Sequence, residues 1–177
     1  MVETEPQAPA IAGSVTVDSR EPQTLKDLAL RTLKTVTVEA LPSADFAIAD
    51  GQGGGIGIER KTTPDFLASL SDRQSNGEPR LYNQLEKLVN DYQTVVLLIE
   101  GEWYTVIQPD KPAYVYAGNR KTGWTVAAMQ MALLSLQQRY DVQVLYTMSM
   151  TETLETVRAL AERARTRGVR VHGERGE

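Results

Sequence analysis

The stretch TVVLLIE, Thr94 to Glu100, constrains the fold more than any other part of this sequence. Its five consecutive apolar residues leave no polar alternation, so both faces of the strand they predict must be covered. Helices must then lie on both sides of its sheet, and the rest of the chain supplies them. Leu25, Leu28, Leu30 and Leu33 predict a helix over 23–33, and Leu81, Leu85, Leu88 and Val89 predict another reaching about Tyr92. A long helix over 124–140 sets Val126, Met129, Leu133 and Leu136 on one face, and 151–165 reads as a final amphipathic helix. Short β-branched or alternating runs over 14–18, 35–40, 45–49, 55–60 and 142–148 predict further strands. Strands mixed with helices, with a hairpin early in the order, make an α/β chain: a mixed β-sheet flanked by α-helices.

The hairpin joins 45–49 to 55–60 through Asp50-Gly51 and further glycines. Its GQGGG stretch has no lysine-serine ending and no helix after it, so it is a turn and not a phosphate cradle. Thr63-Pro64 predicts a helix start, with threonine as cap and proline first in the helix. Residues 75–79, SNGEP, break that helix from the next. Residues 102–123, with aromatics, two prolines and an Asn-Arg-Lys tip, read as an excursion containing a short hairpin.

At 177 residues, 41% hydrophobic and 24% charged, the chain suits one domain with a sizeable core. Absence of cysteine excludes disulfides, thiolate zinc sites and cysteine nucleophiles. The single histidine, His172, lies in a polar tail, which removes Ser-His-Asp triads and HExxH sites. No apolar run approaches the roughly 20 residues of a membrane span. The acidic, Pro/Ala-rich residues 1–13 are unlike a secretory signal and read as a disordered leader. A cytoplasmic protein is expected, in the nucleoid, or in the nucleus of a eukaryote. The net charge of −4 sits awkwardly with a nucleic-acid partner. Basic residues nevertheless gather at Arg163, Arg165, Arg167, Arg170 and Arg175, and at Arg60, Lys61, Arg73, Arg80 and Lys87. A local patch can serve a phosphate backbone inside an acidic protein, and the C-terminal arginines equally suit a solvated helix face.

The chemistry gathers at GIGIERKTTPDF, Gly55 to Phe66. Antiparallel pairing brings the start of one hairpin strand beside the end of the other, making Asp45 and Glu59 neighbours across 13 intervening residues. Residues two apart in a strand share a face, so Glu59 and Lys61 point one way and Arg60 the other. Two adjacent carboxylates resist joint ionisation unless a cation intervenes. Oxygen ligands without histidine or cysteine favour Mg²⁺, with Mn²⁺ as a substitute. A metal with a lysine beside it suits phosphodiester hydrolysis. Asp45, thirteen residues, then Glu59-x-Lys61 is the PD-(D/E)xK nuclease arrangement. The tripeptide alone also suits a surface ion pair of Lys61 with Glu59 or Asp65.

Four ordered blocks separate these readings: VDSRE (17–21), ADF (44–46), IERKTTPDFLASL (58–70) and NGEPRLYNQL (76–85). The series resembles the nuclease domain of the XPF-type structure-specific endonucleases, whose signature is GD-(n)-ERK-x3-D. The resemblance covers roughly 14–149, a nuclease domain followed by a C-terminal helix and basic tail over 150–177. It implies a restriction-endonuclease-like fold and a Mg²⁺-dependent endonuclease acting on branched or flapped DNA in repair or recombination. It also implies residue roles. Asp45 and Glu59 hold the metal, with the Arg60 backbone carbonyl as a third ligand and Asp18 completing the acidic cluster through water. Lys61 is the catalytic lysine. Arg20, Arg60 and Asp65 order the site or contact phosphate, and Arg80, Tyr82 and Gln84 face the DNA or support the metal loop. A first-turn helix carboxylate for Asp65 and a half-buried aromatic for Tyr82 are the plainer alternatives.

Ala44 stands where the family usually has glycine, Glu78-Pro79 is inserted before Arg80, and the glycine-rich loop is long. Full-length family members usually add a tandem helix-hairpin-helix region for branched DNA, and some a helicase; here a separate subunit or a second copy is expected to supply that recognition. Family nuclease domains pair as homodimers or heterodimers, and the 124–140 helix is a candidate for such a surface. Two other readings compete: a compact nuclease for junctions or linear duplex, and a silent scaffold paired with an active nuclease. Scaffolds typically lose the site, and here Asp18, Asp45, Glu59, Lys61 and Asp65 are all present.

Overall fold

The computed structural model describes residues 11–167. In chain order the elements are β1 (Val15–Asp18), α1 (Gln23–Thr32), β2 (Val36–Glu39), β3 (Phe46–Ile48), β4 (Ile56–Thr62), α2 (Thr63–Ser71), α3 (Arg80–Asp91), β5 (Thr94–Glu100), β6 (Trp103–Thr105), β7 (Tyr114–Ala117), β8 (Arg120–Thr125), α4 (Val126–Tyr140), β9 (Gln143–Thr147) and α5 (Met150–Arg167). The main sheet runs β2-β1-β3-β4-β5-β9. It is mixed, as expected: β3 is antiparallel to both β1 and β4, and the other neighbours pair parallel.

β5 shows why two helix layers are needed. Val95, Leu97 and Ile99 join a core with the buried leucines of α3 and with Met129, Leu133 and Leu136 of α4. Val96 and Leu98, on the opposite face, join a second core with Leu25 and Ala29 of α1 and with Leu154, Val157, Ala161 and Ala164 of α5. α5 therefore packs as a structural layer on the sheet; without it that face of β5 would lie open to water. Its first turn is fixed by Ser149, whose Oγ accepts from Glu152 N at 3.3 Å, and by Glu152, whose Oε2 reaches back past the cap to accept from Met148 N at 2.8 Å. The expected leader and basic tail fall mostly outside the described residues, but Gly13 already donates its N–H to Ala49 O at 2.8 Å.

Three local expectations shift. The cap of α2 is Thr62 and not Thr63; Thr62 Oγ1 accepts from Asp65 N at 3.3 Å, while buried Thr63 donates to Gly101 O at 3.2 Å. α4 begins at Val126 because Thr125 caps it, and Trp124 belongs to β8. The excursion is a small antiparallel sheet, β6-β7-β8, held down on its inner side by buried Val115 with Trp103 and Trp124.

The β3–β4 hairpin turns through Asp50, whose Oδ1 accepts from Gln52 N at 2.7 Å and Gly54 N at 3.1 Å. Within β4, Gly57 lets the Tyr92 ring lie against the strand backbone; an added Cβ would come within 2.3 Å of that ring. Gly57→Ala is therefore expected to destabilise the protein by about 2 kcal/mol through overpacking, read as a lower urea midpoint. An unchanged midpoint would mean that Tyr92 yields freely.

Candidate active site

Strand register assembles a row of acids. Val17 pairs with Phe46 and Phe46 with Ile58, so Asp18, Asp45 and Glu59 come next at one level across β1, β3 and β4. Asp18 N donates to Asp45 O at 2.9 Å, and Asp45 N donates to Ile58 O at 2.8 Å. Arg60 N donates to Asp45 Oδ2 at 2.7 Å. Ala44, just before Asp45, has φ +77°, the left-handed region that favours glycine. The alanine that replaces the usual glycine thus sits at a strained turn into the strand.

Alternation along β4 then divides ERK. Lys61 Nζ donates to Glu59 Oε1, which also accepts from Gln84 Nε2 of α3 at 2.9 Å. Arg60 turns to the opposite face. Its Nε and Nη2 grip Glu100 at 2.9 and 2.6 Å, and its Nη1 reaches Glu21 at 3.2 Å. Glu100 accepts a further bond from Thr153 Oγ1 at 2.6 Å. Behind the acids, an ion-pair cluster thus joins β4, β5, α5 and the turn after β1.

Burial, reinforced by the Glu59 and Glu21 carboxylates, pushes the Asp45 carboxyl up to about 7. Burial also lifts Glu21, against the pull of Arg60. At Asp18 burial acts upward too, but hydrogen bonds from the Arg20 side chain and backbone hold the carboxyl below its ordinary value. At Glu100 burial is likewise outweighed, by Arg60 and Thr153.

The donor set fits a hard divalent cation. Among the described residues, no protein donor reaches Asp45 Oδ1 or Glu59 Oε2, so each acid keeps one oxygen uncommitted. Gln84 Oε1 beside them is buried without a partner. Asp18 is held back by Arg20, which grips both its oxygens, and among the described residues no group of three or more His, Cys, Asp or Glu is arranged to hold a metal. Two carboxylates remain, which is within the one or two through which Mg²⁺ is usually bound while it keeps its waters.

Other expected residues lie elsewhere. Asp65 lies in the first turn of α2, its carboxylate accepting from the capping Thr62 Oγ1 at 2.7 Å. Arg80 pairs with Asp72 at 3.4 Å. Tyr82 packs edge-on against Tyr140, with Arg139 over its ring. Gln84 alone of the expected DNA-facing trio touches an acid of the row. Sequence reasoning missed Glu100. The signal was present: it ends an apolar strand on the same parity as Val96 and Leu98, facing the core that Arg60 also enters.

The ERCC4 domain family model matches residues 17–160. The chain belongs to the ERCC4 domain family. It is 28% identical over 142 residues to the 3'-flap repair endonuclease Xpf of Saccharolobus solfataricus, covering 80% of this chain and 49% of that protein. The fold is similar to XPF from Aeropyrum pernix, at 26% identity and a TM-score of 0.63, covering 87% of this chain and 66% of that one. It is also similar to that protein's complex with DNA, at 28% identity and a TM-score of 0.58, covering 84% and 63%. The chain spans about half the length of the Saccharolobus relative. These likenesses bear out the expected XPF-type nuclease domain and its mixed sheet between helices. The ERCC4 match also runs into α5, consistent with that helix packing as part of the domain.

Two outcomes follow. A carboxyl raised in the folded state favours folding when protonated, and that contribution is lost as pH rises through its folded pKa. Relative to Asp45→Asn, the metal-free wild type should therefore lose stability as pH climbs from 3.8 towards about 7, and divalent cation should restore it. Denaturation midpoints measured across that range with chelator check this; parallel curves for the two proteins would contradict it. Glu100→Ala leaves Arg60 with only Glu21 and should cost about 3 kcal/mol in urea unfolding. A neutral result would show that the cluster has no structural role.

Proposed function

We propose that this ERCC4 domain is the catalytic part of a metal-dependent DNA endonuclease that hydrolyses phosphodiester bonds in branched or flapped DNA. The observation that carries the reading is the pair of neighbouring carboxylates, Asp45 and Glu59, each with an uncommitted oxygen and with Lys61 beside them. Asp45, Glu59 and the Arg60 carbonyl would hold Mg²⁺, with Mn²⁺ as a substitute. When bound, such an ion supplies Lewis acidity towards the scissile phosphate and the attacking water. Lys61 places an ammonium where negative charge develops on the phosphate. Gln84 and the Arg60 backbone N–H fix the two carboxylates so that their other oxygens face the substrate. Asp18 and Arg20 form a closed pair at the end of the row; Arg20, 68% exposed, would have to release Asp18 to take a phosphate, which would also let Asp18 turn to the ion.

Labelled fork, flap, junction and linear DNAs, each with Mg²⁺, Mn²⁺ or chelator, test the reading. Metal-dependent cutting of forks or flaps is expected, and cutting in chelator would contradict it. Asp45→Asn and Glu59→Gln should reduce cleavage to background while leaving the fold intact. Lys61→Ala should slow it by about a hundredfold or more with divalent binding nearly unchanged; a large loss of metal affinity would refute its assigned role.

Pairing with a second copy or a related chain belongs to the same reading. Met131 and Leu134 on α4 and Tyr146 and Met148 at the β9 edge are exposed, at 58, 44, 49 and 54%. Such a strip beside an open sheet edge suits a subunit contact. Met131→Glu with Leu134→Glu should yield monomers by light scattering, and an unchanged mass would exclude this surface. A partner bound there can bring the additional contacts that branched DNA demands.

A further inference from the structure

The β6-β7-β8 sheet has an inner face committed to the core and an outer face that no described element covers. Tyr104 pairs with Tyr116, and Tyr116 with Lys121, so the three share the outer face in one row across the strands. The Tyr104 and Tyr116 rings stack at 5.1 Å with 15° between their planes. Lys121 Nζ lies 3.8 Å from the centre of the Tyr114 ring. Tyr104 is 45% exposed, Lys121 and its neighbour Arg120 are exposed at the hairpin tip, and Val106 and Ile107 extend the patch. Lys111, Arg120 and Lys121 outnumber the segment's acids, Glu102 and Asp110, in a chain that is negative overall.

The sheet leaves the end of β5 at Gly101, directly after Glu100, which pairs with Thr62; Lys61 pairs with the preceding Ile99. Thr63 Oγ1 donates to Gly101 O, tying this exit to the start of α2. The small sheet thus rises from the sheet end where Lys61 and the acid row lie, and packs on the core of the same face.

We propose that this outer face binds a single-stranded DNA arm of the substrate, with bases stacked on Tyr104 and Tyr116 and phosphates on Lys121. The inference rests on the branched-DNA reading above and adds a place for the unpaired strand. Aromatic faces on an open sheet, with cations at their margin, stack on unpaired bases of any sequence; paired bases in a duplex do not offer their faces. Cross-strand tyrosine pairs stabilise a sheet modestly and need no such exposure. Three tyrosines, a lysine and two aliphatic residues together form a larger patch than isolated surface residues would.

The test measures anisotropy of a fluorescein-labelled oligothymidylate in chelator, so that binding is read without cleavage. Wild type should bind. Tyr104→Ala and Tyr116→Ala should each weaken binding about tenfold, the scale of one lost stacking contact. Tyr116→Phe, which keeps the ring, should bind like wild type. Lys121→Gln should weaken binding and flatten its salt dependence. If Tyr116→Ala disturbs the small sheet, the more exposed Tyr104→Ala and Lys121→Gln still decide. Wild-type affinity in both overturns the proposal, as does failure of the wild type to bind. A change of oligomeric state with unchanged oligothymidylate affinity also overturns it, marking the face as a protein contact. Because the assay uses chelator, cleavage by Asp45→Asn would defeat the catalytic reading without altering this result, and the two failures stay separate.

Discussion

The pairing of β3 with β4 governs this molecule. It sets Asp45 against Glu59, and the period-two alternation of β4 sends Glu59 and Lys61 to one face and Arg60 to the other. A one-residue slip would bury Lys61 against α5 and aim Arg60 at the acids. The register is secured from both sides. Ile56 and Ile58 are locked in the core beneath α1 and α5, and Gly57 receives the Tyr92 ring on the opposite face. The Arg60–Glu100 pair is a third lock, at the strand end where the apolar pattern stops.

That third lock has a thermodynamic character of its own. Taking a guanidinium and two carboxylates out of water is costly, and close, multiply bonded contacts offset rather than exceed that cost. What the cluster adds is orientation. Arg60 cannot swing toward the acid row while Glu100 and Glu21 hold it, so its backbone N–H stays aligned with Asp45 Oδ2. The acid row is thus held from behind by the Arg60 cluster, while Asp45 and Glu59 each keep one oxygen uncommitted.

Much of this could be read from residues alone, for physical reasons. Strands with one-sided burial alternate, and five apolar residues in a row admit only a doubly covered strand, so the sheet, its helices and the Asp45–Glu59 adjacency were legible. Features resting on a choice between equivalent partners were not. Thr62 and Thr63 both suit a cap, and only the packing of Thr63 beneath Gly101 decides. Asp65, Arg80 and Tyr82 carry polar or aromatic side chains that local partners claim: a cap hydroxyl, Asp72 and Tyr140. Glu100 was overlooked because a charge at the end of an apolar run reads as a strand terminus, although parity placed it on the Arg60 face. The 102–123 excursion hid a third strand because Pro109 and Pro112 interrupt its first connection.

Under the proposed function, Asp45 and Glu59 share one hard ion. The most direct measurement is anomalous diffraction from crystals soaked in Mn²⁺. One strong peak is expected about 2.1 Å from a carboxylate oxygen of each residue, lost in crystals of Asp45→Asn. A peak bound elsewhere, or none at these two side chains at saturating Mn²⁺, would contradict it.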